Sequence, residues 1–263
     1  MYHICAIIKD EHLFLREWIE YHLSIGFDSI TLYEDFTSKS HRQITDAYPQ
    51  VILKSMRDVP ECKEGRTGRQ IACYHDFLRT HSEGWCAFID IDEFFRIEEG
   101  WTLDRLTKEY ADTAGLCLWW KCYGANGHIT RPVKSSSAKG LEPQSPVQES
   151  YSANTIPYHG YWQFKSFVNI TKAKEFLSYE EGGTFINCHY HRFICHFDHT
   201  RADFRQNRNK KHICYSPAWI DHYITKSWED WQARLKRGNI TKGIRDEEFF
   251  FKLNPDLVAK IDR

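Results

Sequence analysis

Several broad protein classes are excluded by what this sequence lacks. No stretch approaches the about 20 consecutive apolar residues that crossing a bilayer requires. The N-terminus has no charged segment leading into an apolar one, so no signal peptide is expected. The nine cysteines are odd in number and include no Cys-x-x-Cys pair, a pattern expected of free thiols in a reducing compartment rather than of a disulfide framework. Net charge is also missing: 35 basic residues stand against 36 acidic ones, which leaves no overall field to recruit nucleic acid or an anionic membrane. Together these absences predict a cytoplasmic protein with no nucleic-acid partner and at most peripheral contact with the inner face of a membrane.

What is present is enough hydrophobic residue, 41% of 263, to bury a full core in one compact domain. Aromatics reach 15%; most are expected in the core, and the rest offer flat faces for sugars or bases. Apolar runs rich in β-branched residues at His3–Ile8, Ile30–Tyr33 and Val51–Leu53 read as strands. Between them, Leu15, Trp18, Ile19, His22 and Leu23 recur at helical spacing up to Gly26, and a short helix is expected near His41–Ala47. Strand alternating with helix predicts a parallel sheet with right-handed crossovers.

The stretch that points to chemistry is Trp85-Cys86-Ala87-Phe88-Ile89-Asp90-Ile91-Asp92-Glu93-Phe94-Phe95. An apolar run closing on three acids reads as a buried strand whose Asp90 and Asp92 project together from its C-terminal end. Two adjacent carboxylates repel unless a cation lies between them, and Mg²⁺ or Mn²⁺ with substrate phosphates meets that need. Upstream, Gly65-Arg66-Thr67-Gly68-Arg69-Gln70 opens a helix, where backbone N–H groups and the arginines would cradle an anion. Downstream, helix 103–110 and strand Leu116–Trp120 are expected, then a polar excursion from Lys134 to Pro157, strand-like runs Trp162–Ile170 and Thr184–Phe197, and helices Ser227–Lys236 and Arg245–Lys252. Cys188–His199 holds four His and two Cys at spacings that fit no standard zinc module, and Arg192–His212 carries a local basic excess that a solvated loop explains equally well.

Five blocks in order carry a resemblance: Glu17-Trp18-Ile19-Glu20-Tyr21-His22, Gln70-Ile71-Ala72-Cys73-Tyr74-His75-Asp76, Phe88-Ile89-Asp90-Ile91-Asp92-Glu93-Phe94, Tyr123-Gly124-Ala125-Asn126-Gly127-His128 and His222-Tyr223-Ile224-Thr225-Lys226-Ser227. They resemble glycosyltransferase family 92 and related family-2-like enzymes. The resemblance implies an α/β fold, a GT-A-like α/β/α sandwich with a mostly parallel sheet, whose nucleotide-sugar half is expected at 1–95 and whose acceptor half at 96–263. It implies transfer of a hexosyl or pentosyl group from a nucleotide-diphosphate sugar, a UDP-sugar favoured, to a glycan acceptor with Mn²⁺ or Mg²⁺ bound. By it, Asp90, Asp92 and His222 are the metal ligands, and Asp10, Glu11 and Asp35 lie where nucleobase and ribose sit; read from their own setting, Arg66, Arg69 and Gln70 at the helix start and Lys226 near His222 in sequence join Asp90 in the expected donor site. Inversion is the expected outcome and needs a carboxylate to take the acceptor's proton, for which Glu149 and Asp246 are the candidates. Where relatives continue from the Gly-His block into a short apolar strand, Lys134–Ser150 is polar and broken by proline. A sugar- or nucleic-acid-binding module and a metal-dependent hydrolase of nucleotide sugars are the other two classes that fit these residues.

Overall fold

The computed structural model describes residues 1–36, 38–63, 68–133, 146–152, 164–176, 197, 213–238 and 246–261. Strands β1 (Tyr2–Ile8), β2 (Ser29–Glu34), β3 (Val51–Ser55) and β4 (Trp85–Phe88) alternate with helices α1 (Leu15–Ser24), α2 (Arg42–Thr45) and α3 (Arg69–Thr80). They are followed by β5 (Glu93–Ile97), α4 (Leu103–Glu109), β6 (Gly115–Tyr123), α5 (Val147–Tyr151), β7 (Phe164–Asn169), α6 (Ile170–Phe176), β8 (Ala218–Tyr223), α7 (Trp228–Arg237), α8 (Glu247–Leu253) and α9 (Val258–Ile261). One sheet of eight strands runs β3-β2-β1-β4-β7-β6-β8-β5. The pairs β1–β2, β2–β3 and β1–β4 are parallel, as the alternation predicts, whereas β7 runs antiparallel to both β4 and β6. The fold is α/β with a mixed sheet.

The chain forms two compact units, Met1–Trp120 with Tyr161–Ile220, and Lys121–Gly160 with Asp221–Arg263. In the first, β1 buries six consecutive residues, His3 to Ile8, because a parallel strand covered on both faces must be apolar throughout. The turn entering β4 requires glycine: Gly84 has φ +98°, and a Cβ there would lie 2.6 Å from the Met1 carbonyl oxygen. The second unit packs Ala125, Trp228, Trp231, Phe250 and Leu257 together, with both tryptophans on the helix expected at Ser227–Lys236. Its α7 opens with a capping box between Ser227 and Asp230, worth about 1 kcal/mol, and Arg131 pairs with the Asp230 carboxylate at 2.6 Å.

Three sequence expectations change. The apolar run 85–89 stops being strand at Phe88, and a separate strand β5 follows at once, because the acids between them form a turn. The excursion Lys134–Pro157 contains helix α5; the rest of it that was read, 134–145 and 153–157, lies outside the described residues. Strand β8, Ala218–Tyr223, is an element the sequence patterns above do not include. The run Thr184–Phe197 lies outside the described residues except for Phe197, which is in a turn.

Buried neutral histidines set an acid limit on this fold. The His22 ring is fully buried, with Nδ1 2.7 Å from the Trp18 carbonyl oxygen and Nε2 accepting the Phe95 N–H at 3.1 Å, so Nδ1 carries the proton. Burial lowers its pKa to about 3, and burial with the neighbouring His81 lowers that of His3 to about 4. Both folded pKa values lie below the unfolded one of about 6.5, so between those limits the unfolded chain binds more protons and stability falls as pH falls. The expected loss from His22 alone is about 3 kcal/mol between pH 6.5 and pH 4. Urea midpoints across that range check it, and a flat profile refutes it.

Candidate functional site

The acids after β4 are held by a turn rather than by a strand. The Glu93 N–H donates to the Asp90 carbonyl oxygen at 3.0 Å, and the Asp90 N–H donates back to the Glu93 carboxylate at 2.8 Å. These reciprocal bonds close Asp90-Ile91-Asp92-Glu93, so the placement of Asp90 and Asp92 comes from the turn and not from strand alternation. Glu93, which opens β5, is completely buried.

A lysine 72 positions further on supplies part of the positive charge that the acid pair calls for. Lys165 Nζ in β7 lies 2.8 Å from the Asp90 carboxylate and 3.1 Å from that of Glu93, and is itself 1% exposed. Gln70 Nε2 on α3 approaches the other Asp90 oxygen at 3.4 Å. The metal was therefore not the only cation available to relieve the repulsion. Lys165 is buried because both its neighbours are acids; alone there it would cost several kcal/mol.

The remaining acidic atoms fit a divalent ion. Glu93 Oε1 is buried and has no hydrogen-bond partner among the described residues, and one of its oxygens lies within 4.8 Å of an Asp92 oxygen. Buried carboxylate oxygens without a partner are rare and need an explanation, and Mg²⁺ or Mn²⁺ between two carboxylates provides one. Burial raises the Glu93 pKa well above the ordinary carboxyl range; Asp90 and Asp92 push the same way, while Lys165 and the Asp90 N–H oppose them.

The carboxyl ends of β1 and β2 carry the second group of predicted residues. Asp35 is buried and paired with Arg69 at 2.7 Å, and the guanidinium groups of Arg57 and Arg69 lie 5.2 and 5.8 Å from the centre of the Phe36 ring. Asp10 is exposed, has φ 51°, and accepts the Lys39 N–H at 3.1 Å. The Glu11 N–H donates to His41 Nε2 at 3.0 Å, which leaves Nδ1 to donate to Glu34 at 2.8 Å. Parallel pairing of β1 with β2 and with β4 puts Asp10, Glu11, Asp35 and the acidic turn at the same end of the sheet. That end is where ligands bind in open α/β sheets.

Comparison with known proteins decides what this arrangement belongs to. The family model described as glycosyltransferase family 92 matches residues 4–260. The chain belongs to glycosyltransferase family 92. A family 92 protein of Ricinus communis is 27% identical over 240 residues, covering 89% of this chain and 37% of that protein. One of Oryza sativa subsp. japonica is 27% identical over 110 residues, covering 41% and 18%. The chain thus spans well under half of either relative. Among solved structures, a 4-diphosphocytidyl-2C-methyl-D-erythritol synthase aligns at TM-score 0.36 and 12% identity over 65% of this chain and 75% of its own. HddC from Yersinia pseudotuberculosis aligns at TM-score 0.32 and 9% identity over 56% and 70%. Likenesses that weak carry no argument.

The other predicted residues of this family 92 member lie as follows. His222 is buried on β8, and Lys226, with φ 55°, is buried between β8 and α7. Glu149 is exposed on α5, a helix whose Ser150 carbonyl oxygen is met by Asn126 Nδ2 at 3.4 Å and His128 Nε2 at 3.2 Å. Asp246 caps α8, accepting the Phe249 N–H at 2.9 Å. Trp119 is core, edge-on to Phe164. Arg66, Trp162, the His- and Cys-rich segment from 188 and the basic stretch 192–212 lie outside the described residues, apart from Phe197. Sequence reading missed Lys165, although a lone lysine within Phe164-Lys165-Ser166-Phe167-Val168 was a usable signal. Lysine is almost never fully buried unless paired.

Proposed function

We propose that this chain is a divalent-metal-dependent glycosyltransferase that moves a hexosyl or pentosyl group from a nucleotide-diphosphate sugar, a UDP-sugar favoured, to a hydroxyl of a glycan acceptor with inversion. Family membership supports the transferase class and, with it, a nucleotide-sugar donor and a glycan acceptor. The observation that carries the metal is the orphaned, buried Glu93 oxygen beside Asp92. Mn²⁺ or Mg²⁺ bound there would supply positive charge to the departing diphosphate. The sequence resemblance adds His222 to the ligand set; Arg66 at the glycine-rich helix start and Lys226 near His222 in sequence are added for the phosphates.

Asp10, Glu11 and Asp35 hold the nucleoside in this reading, with Asp35 paired to Arg69 at 2.7 Å. Asp90, tied to Lys165 and Gln70, shapes the turn more than it ligates. Residues 1–95 form the nucleotide-sugar half and 96–263 the acceptor half. Glu149 takes the proton of the attacking hydroxyl; Asp246 is the weaker candidate because its carboxylate is engaged in capping α8.

UDP with Mn²⁺ is expected to raise the melting temperature by several degrees, and Asp92→Asn to abolish the rise while leaving the unliganded melting temperature within a few degrees. If no nucleoside diphosphate shifts the transition in the presence of Mn²⁺ or Mg²⁺, the proposal fails.

A further inference from the structure

The block Glu17-Trp18-Ile19-Glu20-Tyr21-His22 is spent on one task that its amphipathic pattern does not require. Among the described residues β5 ends the strand order, so one of its edges has no described strand to pair with. Open edges must be protected or they recruit other strands. Here α1 covers the edge with side chains. Trp18 Nε1 donates to the Glu93 carbonyl oxygen at 2.7 Å, His22 Nε2 accepts the Phe95 N–H at 3.1 Å, and the Tyr21 hydroxyl donates to the Phe95 carbonyl oxygen at 2.8 Å. Backbone groups of residues two apart on a strand face the same edge, and positions 18, 21 and 22 share one face of a helix. Three side chains one turn apart therefore reproduce the bonds a neighbouring strand would make.

The strand so held begins with Glu93, whose carbonyl is gripped by Trp18 and whose carboxylate closes the acidic turn. Resting on the metal-site reading above, we propose that Trp18, Tyr21 and His22 are positioning residues for the divalent cation. Their bonds to the open edge of β5 fix the Glu93 carboxylate in its ligating position. Groups that orient ligands in this way typically change metal affinity by about 10- to 100-fold when removed. A strand protected only for stability has no such consequence.

The test is Mn²⁺ titration of Tyr21→Phe and Trp18→Phe, followed through the electron paramagnetic resonance of the free ion, beside melting temperatures. Tyr33→Phe is the control, since it deletes a hydroxyl bonded to Asp76 at 2.6 Å in β2, near the opposite end of the strand order from β5. The expected result is a Kd for Mn²⁺ weakened about tenfold in Tyr21→Phe and more in Trp18→Phe, against less than twofold in Tyr33→Phe, whose melting temperature matches that of Tyr21→Phe. Trp18→Phe opens space in the core; if it does not fold, Tyr21→Phe alone decides. Unchanged Mn²⁺ affinity in Tyr21→Phe, or an equal loss in Tyr33→Phe, overturns the positioning role. A wild-type protein that binds no Mn²⁺ removes the metal site itself and the inference with it, so the two failures are read apart.

Discussion

Lys165→Met is expected to cost about 3–5 kcal/mol of folding stability, the usual consequence of removing one partner from a buried ion pair. The loss comes chiefly from Glu93, which has no exposed surface and, without the ammonium 3.1 Å away, must either hold its charge in the interior or take up a proton to shed it. Asp90, whose side chain is 38% exposed, can turn to water and adds little. Chemical denaturation of the variant measures the loss, and the double variant Lys165→Met with Glu93→Gln identifies its source. Removing both charges leaves no stranded ion, so the double variant should regain much of the stability lost by the single one. If the two losses simply add, the pair is not what holds the turn.

If the proposed metal site is right, Glu93→Gln alone is expected to weaken Mn²⁺ affinity by about 100-fold or more, because a hard cation loses a charged oxygen ligand for a neutral one. The proposed transferase activity should fall with it. The amide keeps the shape of the side chain and can still accept the Asp90 N–H, while Lys165 keeps Asp90 as partner. The melting temperature should therefore move little, which separates loss of a ligand from loss of the fold. Asp90→Asn makes the matching comparison: its carboxylate is occupied by Lys165 and Gln70, so the expected effect on metal affinity is several times smaller. Equal losses in both variants would restore the Asp-x-Asp pair as the ligand set and remove Glu93 from it.

Much of the first unit was legible in the chain itself. The apolar, β-branched runs of β1, β2 and β3 and the 3.6-residue spacing of α1 are local patterns, and each became the element it predicted. The acids after Phe88 were legible as a candidate site because an apolar run closes there on three carboxylates, and the structure gathers them in one turn. Which partner faces them was not legible. The charge facing Asp90 and Glu93 comes from β7, and no periodicity links residue 93 to residue 165.

The turn was also misjudged for a local reason. Ile89 and Ile91 continue the apolar alternation, so the strand seemed to run through Asp92, whereas the backbone leaves the sheet at Phe88 so that Glu93 can close the turn and open β5. Likewise Trp18 and His22 read as core residues of an amphipathic helix. They are buried, but each also carries a polar atom directed at β5, a use that depends on where the helix packs.

The sequence by itself determined the class of fold, the order of the parallel strands' building blocks and the stretch where the chemistry gathers, since all three follow from residue types within about a dozen positions of one another. Only the tertiary structure decided which carboxylate oxygen is left without a hydrogen-bond partner among the described residues. That depends on Lys165 and the α1 side chains reaching the turn from distant parts of the chain, and a buried charge takes its role from the groups that surround it.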